Sequence, residues 1–171
     1  MRMTPTLVAA TALAATVVGA NLNPATAQAS DQWALNGTFI ATSNGEWATN
    51  NDVFHDEKSI RSIWTISSQC SYPTECTGTV SSDWGWTAPI YQTGGEWYVK
   101  RVIPDWMPCY DGSSAPGKQV YRFHGVTPDG SASDPTSNML VGEDGTTGAP
   151  GGCGRSAPLY ISMPFKLVKQ T

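Results

Sequence analysis

The sequence predicts an all-β domain, most simply an antiparallel meander barrel, with a two-sheet β-sandwich as the alternative. Apolar and polar residues alternate along the chain with the period of two that is typical of strands. Turn-forming pairs, among them Asn44-Gly45 and Gly94-Gly95, separate the alternating runs and favour tight hairpins. The spacing of Gly and Pro leaves no sustained helical period in residues 30–171. About seven or eight strands with short connections are typical of a barrel.

The strands are predicted from individual runs. Alternation is clearest along Ile60–Ile66, Val80–Ile90 and Leu159–Leu167. Weaker strands are expected at Leu35–Thr42, Trp97–Ile103, Val120–Val126 and Asn138–Val141. A short helix is expected at Asn51–Lys58. Because Pro164 has no backbone N–H, we expect it at an edge or a bulge of the last strand, which counts against perfect closure.

The N-terminus has the three regions of a secretory signal peptide. Arg2 supplies a positive charge, Leu7–Gly19 is apolar, and Ala25–Ala29 offers A-x-A cleavage sites. The apolar run is shorter than the about 20 residues of a membrane span, and a retained anchor is the alternative. We therefore expect residues 1–29 to be a cleavable signal peptide. Residues 30–171 then form a single β domain, secreted or in the cell envelope, with no membrane insertion after cleavage.

The charge of the mature chain argues against two classes of binding partner. Only Arg2 among the ten Lys and Arg residues precedes the cleavage region. The mature chain therefore has nine basic and fourteen acidic residues, which give it a formal charge of −5. An acidic chain without a basic cluster argues against a nucleic-acid partner. The same charge argues against docking on anionic membrane surfaces.

All four cysteines lie in the mature chain, which in an exported protein predicts two disulfides. Four cysteines allow three connectivities. We favour Cys70–Cys76, which brackets a short Pro-containing turn, and consequently Cys109–Cys153, which joins two Gly/Pro-rich loops. A zinc site is disfavoured because a C-x5-C spacing without a nearby His fits no common zinc pattern.

Seven tryptophans are the next unusual feature. Alternation assigns Trp64, Trp84, Trp86 and Trp97 to core packing and the sheet surface, because each indole ring buries a large apolar area. Trp106 lies between two prolines and is expected on a loop. The functional alternative is an aromatic pocket that stacks on a sugar or a lipid, with Trp106 as its best candidate.

Two arginines interrupt apolar alternation. Arg101 shares a strand face with Trp97 and Val99, and Arg122 shares one with Val120. If these faces are buried, both guanidinium groups point into the barrel, where a fatty-acid-like carboxylate would offset their desolvation. The tail of such a ligand would lie against the apolar side chains of Trp84, Trp86 and Ile161.

Both strands could also take the opposite phase, which in the first would bury Tyr98 and Val102, and the second strand fits that phase equally well. That phase buries Tyr121 and Phe123 and moves Arg122 to the surface, because a shift of one residue exchanges the two faces of a strand. The predicted ligand site comprises two arginines and three aromatic side chains: Arg101, Arg122, Trp84, Trp86 and Trp106.

No motif points to catalysis. His55 and His124 are the two histidines, no G-x-S-x-G nucleophile elbow is present, and Asp129–Asp134 lacks the spacing of an EF-hand. We expect no catalytic residue, no metal site and no cofactor. The leading function is a secreted non-catalytic binding or interaction protein for a small apolar or anionic amphiphilic ligand.

Two other function classes remain open. One is an extracytoplasmic hydrolase that acts on cell-wall sugar or lipid, and the other is a structural or antigenic envelope-associated protein. An open apolar interior favours the binding protein. A cleft with two close carboxylates favours the hydrolase, and a filled core favours the envelope protein.

Two stretches of the chain resemble a known group. One comprises Asn36–Phe39, Asn44–Ala48, Arg61–Ile66 and the Cys70/Cys76 pair, and the other comprises Cys153–Arg155 and Leu159–Phe165. They are similar to small secreted proteins of actinobacteria, mycobacteria in particular, a group with no assigned biochemical role. The resemblance covers nearly all the mature chain and implies export, and it brings no catalytic residues.

At the level of the fold, the chain also resembles the lipocalin-like barrels. Those barrels often open with Gly-x-Trp on the first strand, where this chain has Gly37-Thr38-Phe39. Phe39 in place of Trp and Pro164 in the last strand limit the comparison to the architecture.

Overall fold

The computed structural model describes residues 32–171, and the predicted signal peptide lies outside the described residues. Ten antiparallel strands form one sheet. Their bounds are β1 Gly37–Ser43, β2 Thr49–Asn50, β3 Val53–Phe54, β4 Ile60–Tyr72, β5 Glu75–Ser82, β6 Thr87–Thr93, β7 Glu96–Pro108, β8 Ser114–Gly125, β9 Met139–Gly148 and β10 Tyr160–Lys169.

Eight of these strands close into a barrel. From β4 to β10 each strand of the barrel pairs with the next along the chain, and β1 closes the ring by pairing with β4 on one side and β10 on the other. The predicted antiparallel meander barrel is therefore confirmed, and the sandwich is not formed. Within residues 32–171 the helical structure consists of two 3₁₀ turns, Gly45–Trp47 and Gly152–Gly154.

The prediction of a helix at Asn51–Lys58 is wrong. In its place β2 and β3 form a small hairpin that adds to β10. Asn51 and Asp52 form its turn, with φ of 47° and 66°. Asn and Asp tolerate this left-handed conformation better than other residues with a side chain, and a two-residue hairpin turn requires it.

The two turn pairs singled out in the sequence behave differently. Gly94-Gly95, with φ of 60° and 85°, forms the predicted hairpin between β6 and β7. Asn44-Gly45 does not form a hairpin, because the side chain of Asn44 accepts a hydrogen bond from the Glu46 N–H and caps a 3₁₀ turn. The capping interaction directs the chain from β1 towards β2 instead.

The run Val80–Ile90 is two strands rather than one. β5 ends at Ser82, and the Ser82 N–H donates to the Trp86 carbonyl at 2.9 Å across the turn that precedes β6. The even-numbered residues of the run face the barrel interior in both strands, for example Val80 in β5 and Ile90 in β6. The pattern therefore continues across the turn without a visible break in the sequence.

Pro164 is compatible with closure of the barrel. On one side β10 pairs with β2 at Ile161 and Ser162 and with β1 from Phe165 onward. Pro164 falls between these segments, and its carbonyl accepts from the Asn44 N–H at 2.8 Å. The N and O atoms of a strand residue point the same way, so the missing donor faces the interruption between two partner strands.

Both predicted disulfides are confirmed. Cys70–Cys76 cross-links β4 to β5 at the end of the barrel where those strands turn. Cys109, which follows β7, is bonded to Cys153 in the second 3₁₀ turn at the opposite end. Each end of the barrel therefore carries one covalent link.

The interior is packed with apolar side chains at the Cys70–Cys76 end, which we call the closed end. Trp64 is central to this core, and its ring meets that of Tyr121 edge-on at 4.9 Å between centroids. The fully buried large side chains are Trp64, Trp97, Phe39, Phe123, Ile66, Ile90, Leu140, Leu167, Val80 and Val99. The other end, where β5 turns into β6 and β7 into β8, is called the open end.

Candidate functional site

A cavity of about 790 Å³ lies at the open end of the barrel. Its volume is within the range of about 300–1,000 Å³ that is usual for small-molecule sites. Its apolar and aromatic lining comprises Ile60, Trp84, Trp86, Ile103, Trp106, Met107, Pro108, Tyr121, Leu159, Ile161 and Met163. Its polar lining includes Arg101, Gln119, Asp144 and Thr146. The cavity is therefore mostly apolar, with a few polar groups on neighbouring strands.

Aromatic rings separate the cavity from the closed end. The Trp64 ring lies 5.4 Å from that of Trp86, in an edge-on arrangement, and the Tyr121 ring lies 5.0 Å from that of Phe165. Such edge-on and tilted pairs stabilise aromatic clusters beyond the area they bury. Trp86 and Tyr121 thus form the floor of the cavity and also pack against the core.

Two glycines make room for Trp106 in the cavity wall. A Cβ atom on Gly117 would lie 2.7 Å from the Trp106 ring, and one on Gly148 would lie 3.1 Å from it. Any other residue at position 117 would therefore displace the indole. Trp106 belongs to β7, at a register shift between Ile103 and Met107, so its expected position on a loop is wrong. The irregular pairing directs the ring towards the cavity.

Arg101 enters the cavity from β7. The strand buries Trp97 and Val99, and Arg101 follows on the same face as predicted. Its guanidinium carbon lies 4.4 Å from the centroid of the Trp86 ring, a cation–π contact. Its Nε donates to Gln119 Oε1 at 2.7 Å. Among residues 32–171, neither terminal nitrogen of Arg101 has a hydrogen-bond or ion-pair partner.

Gln119 connects Arg101 to a buried acid. Its amide nitrogen donates to Asp144 Oδ1 at 2.7 Å, and Ser43 Oγ donates to Asp144 Oδ2 at 2.6 Å. Ser43 and Asp144 are each 3% exposed, and Gln119 is 5% exposed. Both carboxylate oxygens are therefore hydrogen-bonded, as burial of an acid requires. These four side chains from β1, β9, β8 and β7 form what we call the polar relay: Ser43, Asp144, Gln119 and Arg101.

Burial alters the pKa values of these groups. It raises the pKa of the Asp144 carboxyl above its ordinary range, while the hydrogen bonds from Ser43 and Gln119 oppose the rise. It lowers the pKa of Arg101, although an arginine remains charged at any physiological pH. Burial also raises the pKa of Tyr121, which keeps the phenol neutral. Arg101 therefore supplies a permanent positive charge to the cavity.

The structure brings four of the five predicted ligand-site residues together. Arg101, Trp84, Trp86 and Trp106 all line the cavity, and Trp84 is 60% exposed at its rim. Arg122 is exposed on the outer face of β8, where it pairs in register with Glu143 of β9. Of the two phases that the sequence left open for β8, the one that would place Arg122 inside the barrel is therefore not formed.

The physical reason for the position of Arg122 is the phase of β8. The strand buries Tyr121 and Phe123, which remove more apolar area from water than Val120 would. Arg122 lies between those two aromatic residues in the sequence and must therefore face outward. Ligand binding by the four lining residues remains a prediction.

Gln119 and Asp144 were missed in the sequence. The pair Asp144-Gly145 has the composition of a turn, but β9 runs through it from Met139 to Gly148. Gln119 lies two residues before Tyr121 on the same strand face. That spacing would have placed Gln119 in the interior once the phase of β8 was known.

The described residues offer noncovalent chemistry at this site. No group of three or more His, Cys, Asp or Glu side chains within residues 32–171 could hold a metal ion. Neither histidine lines the cavity: His55 Nδ1 lies 3.1 Å from a Glu57 carboxylate oxygen, and His124 Nδ1 lies 3.2 Å from one of Glu96. The lining presents Arg101 in the wall, two exposed cations (Lys58 and Arg61), hydrogen-bonding groups and aromatic surface. This combination suits a molecule with an anionic end and an apolar body.

Comparison with solved structures shows a protein of similar fold. The chain is similar to the sensor domain of PknI from M. tuberculosis, in its monomer form, with a TM-score of 0.56 and 16% sequence identity. The match covers 80% of this chain and 88% of that domain, and at this identity it shows the fold alone. No protein-family model and no curated protein matches the chain. No helix formed by residues 32–171 is long and apolar enough to cross a membrane.

Proposed function

We propose that this chain is a secreted, non-catalytic binding protein whose barrel holds a small apolar or anionic amphiphilic ligand. The observation that carries the proposal is the cavity of about 790 Å³ at the open end, with Arg101 in its wall. A mostly apolar cavity with a few convergent polar groups is the usual form of a ligand site. The PknI domain of similar fold is a sensor domain, which supports a binding role by analogy of fold.

Arg101 receives the anionic head of the ligand. Its Nε donates to Gln119, and one face of the guanidinium lies on Trp86. The edge formed by the two terminal nitrogens is therefore the part that can bind a ligand. A carboxylate can accept two parallel hydrogen bonds at this edge. The apolar body of the ligand then lies against Trp84 and Ile161, which line the same cavity.

Desolvation favours an anion at this position. Burial lowers the pKa of Arg101, which means that the charged side chain is less well solvated here than in water. A ligand carboxylate offsets that loss by pairing directly with the guanidinium. Contact with the aromatic rings contributes further, at about 25 cal/mol for each Å² of apolar surface removed from water.

The two other function classes have less support. The open interior differs from the filled core expected of a purely structural envelope protein. A hydrolase would need a carboxylate that is available to substrate. Both oxygens of Asp144 are occupied by Ser43 and Gln119, and the other acid in the described lining, Glu57, lies on the loop before β4.

An extracytoplasmic location agrees with the covalent structure. Both disulfides, Cys70–Cys76 and Cys109–Cys153, are typical of proteins that fold in an oxidising compartment. Residues 1–29 have the basic, apolar and small-residue regions of a signal peptide. We propose that cleavage within Ala25–Ala29 releases the β domain of residues 30–171.

Binding is tested by titrating a fluorescent fatty acid into mature protein that has been stripped of lipid. Arg101→Met keeps a long side chain but removes the charge and both terminal donors. It should weaken binding by about 2 kcal/mol or more, which is about thirty-fold in Kd. Arg122→Met is the matched control, because it removes the same group from the outer face of β8. Equal affinities in all three proteins, or no binding by the wild type, would contradict the proposal.

A further inference from the structure

The polar relay has a direction. An ionised carboxylate only accepts hydrogen bonds, and Ser43 already donates to Asp144 Oδ2. Oδ1 therefore requires the amide nitrogen of Gln119, which lies 2.7 Å away. The amide oxygen then faces the Nε donor of Arg101, also at 2.7 Å. Turning the amide over would place donor against donor at Arg101, so the acid holds the amide and the amide holds the guanidinium.

Gln119 also lies between a cation and a buried acid. The ion pairs of residues 32–171 are His55–Glu57 and His124–Glu96, and no ion pair joins Arg101 to Asp144. A neutral amide bonds to both of them instead. A direct salt bridge to Asp144 would compensate the charge of Arg101 within the protein. With the amide interposed, the charge of Arg101 stays available to a ligand.

We propose that Gln119, held by Asp144 and Ser43, is the specificity-determining residue of this cavity and makes it selective for amphiphiles that end in a carboxylate over those with a neutral head. The inference rests on the proposed function and extends it to the chemical class of the head group. Gln119 is a positioning residue, since its two amide atoms are used by Arg101 and Asp144. It acts on the ligand through Arg101.

The surroundings of Arg101 favour a planar head with a single charge. The Trp86 ring covers one face of the guanidinium at 4.4 Å, so the head group approaches in the plane of the terminal nitrogens. A carboxylate fits that edge with two parallel hydrogen bonds. The other cations of the described lining, Lys58 and Arg61, are exposed at the rim. A dianionic head would therefore find one half-buried cation, Arg101, instead of two.

The test uses a matched pair of probes, dansyl-undecanoic acid and its methyl ester. We expect wild-type protein to bind the acid about thirty-fold more tightly than the ester, because only the acid can pair with Arg101. Gln119→Glu places a carboxylate against Arg101 Nε, and Asp144 then takes up a proton because two acids are adjacent. Affinity for the acid should fall to the level of the ester, while affinity for the ester changes by less than about threefold.

Two further variants make the result specific. Gln69→Glu adds the same charge at an exposed position of β4 and should keep the wild-type acid-to-ester ratio. Asp144→Asn keeps the size and polarity of the side chain, but it can both donate and accept, so it no longer holds the Gln119 amide in one orientation. It should lower the ratio by about threefold or more. It also carries the test if Gln119→Glu does not fold, as judged by near-ultraviolet circular dichroism.

The outcomes separate the inference from the proposed function. Loss of the acid-to-ester ratio with ester binding retained supports the inference. An unchanged ratio in the folded Gln119 and Asp144 variants, with the ratio lost in Arg101→Met, overturns the role of Gln119 and leaves the proposed function standing. If a variant loses affinity for the acid and for the ester to the same extent, the role of Gln119 in specificity is also overturned, because that result indicates a structural role alone. Binding of neither probe by the wild type overturns both.

Discussion

The two ends of this barrel belong to one continuous sheet and differ in what fills them. At the closed end, Trp64, Phe123 and Leu167 are 0% exposed and leave the interior packed. At the open end, the same alternation places Arg101 and Asp144 beside a cavity of about 790 Å³. The strand period therefore directs every second residue inward at both ends, whereas the volume and polarity of those residues decide whether the interior is core or site.

The polar groups of the open end are accommodated without disturbing the core. Each oxygen of Asp144 has a donor, and each end of the Gln119 amide has a partner. The cost of burying them is offset by hydrogen bonds among side chains of four strands of the barrel. Apolar packing is thus concentrated at one end of the barrel, while the other end presents a charged group to the cavity.

The largest expected effect separates the two ends by stability. Trp64→Ala should lower the free energy of unfolding by about 3–5 kcal/mol, because it removes a whole indole from the packed core. Trp84→Ala, at the rim, should lower it by less than about 1 kcal/mol, because that ring is 60% exposed. Guanidinium chloride unfolding of the mature domain measures both. Equal losses would show that the open end contributes to the core as much as the closed end does.

The two disulfides provide a second comparison of the ends. Replacing both Cys109 and Cys153 with Ser should cost about 4 kcal/mol, and replacing both Cys70 and Cys76 should cost about 2 kcal/mol. The sequence separations are 44 and 6, and the longer closure removes more conformational entropy from the unfolded chain. Denaturant unfolding under non-reducing conditions gives the two values. The reverse order would reject loop length as the explanation.

The smallest expected effect concerns two adjacent acids on opposite faces of β9. Burial raises the pKa of Asp144, whereas the hydrogen bond from the Tyr160 hydroxyl lowers the pKa of Glu143. The stabilising contribution of Asp144 is therefore present at low pH and is lost as the pH rises through its raised pKa. The contribution of Glu143 has the opposite sign, since it is present above the ordinary pKa and is lost as the pH falls through the lowered one.

Substitution of each acid tests this opposition. In the wild type, ionisation of Asp144 lowers the free energy of unfolding above about pH 4, and Asp144→Asn should remove that decrease. Protonation of Glu143 lowers it below about pH 4, and Glu143→Gln should remove that second decrease. Denaturant unfolding over a series of pH values gives the slope for each variant and for the wild type. Slopes that change in the same direction in both variants would contradict the assignment of Asp144 to the inside and Glu143 to the outside.

The two arginines show how far sequence reasoning reaches into the site. Along β7 the alternative phase would bury Tyr98 and Val102, and the structure instead buries Trp97 and Val99, which directs Arg101 inward. Along β8 both faces carry apolar residues, so the sequence left the two phases equally open, and the structure takes the one that directs Arg122 outward. Packing of Tyr121 and Phe123 around Trp64 decides between the faces, and that contact joins strands that are distant in the sequence.

Turns show the same limit on a shorter scale. Gly94-Gly95 was predicted because its conformational freedom is a property of those two residues. The hairpin at Asn51-Asp52 was missed, since neither residue requires a left-handed backbone until β2 and β3 pair. The division of Val80–Ile90 into two strands was also missed, because both halves direct the same side chains inward.

By itself, the sequence determined the all-β class, the antiparallel meander and the pairing of the cysteines, because alternation, turn residues and short Cys spacing act over a few neighbouring positions. Only the tertiary structure decided that one end of the barrel stays open and that a polar relay lies behind Arg101. Ser43 and Asp144 are 101 positions apart, and Gln119 and Asp144 are 25 positions apart. Their contacts depend on the register in which the strands close, and a shift of one residue would separate them.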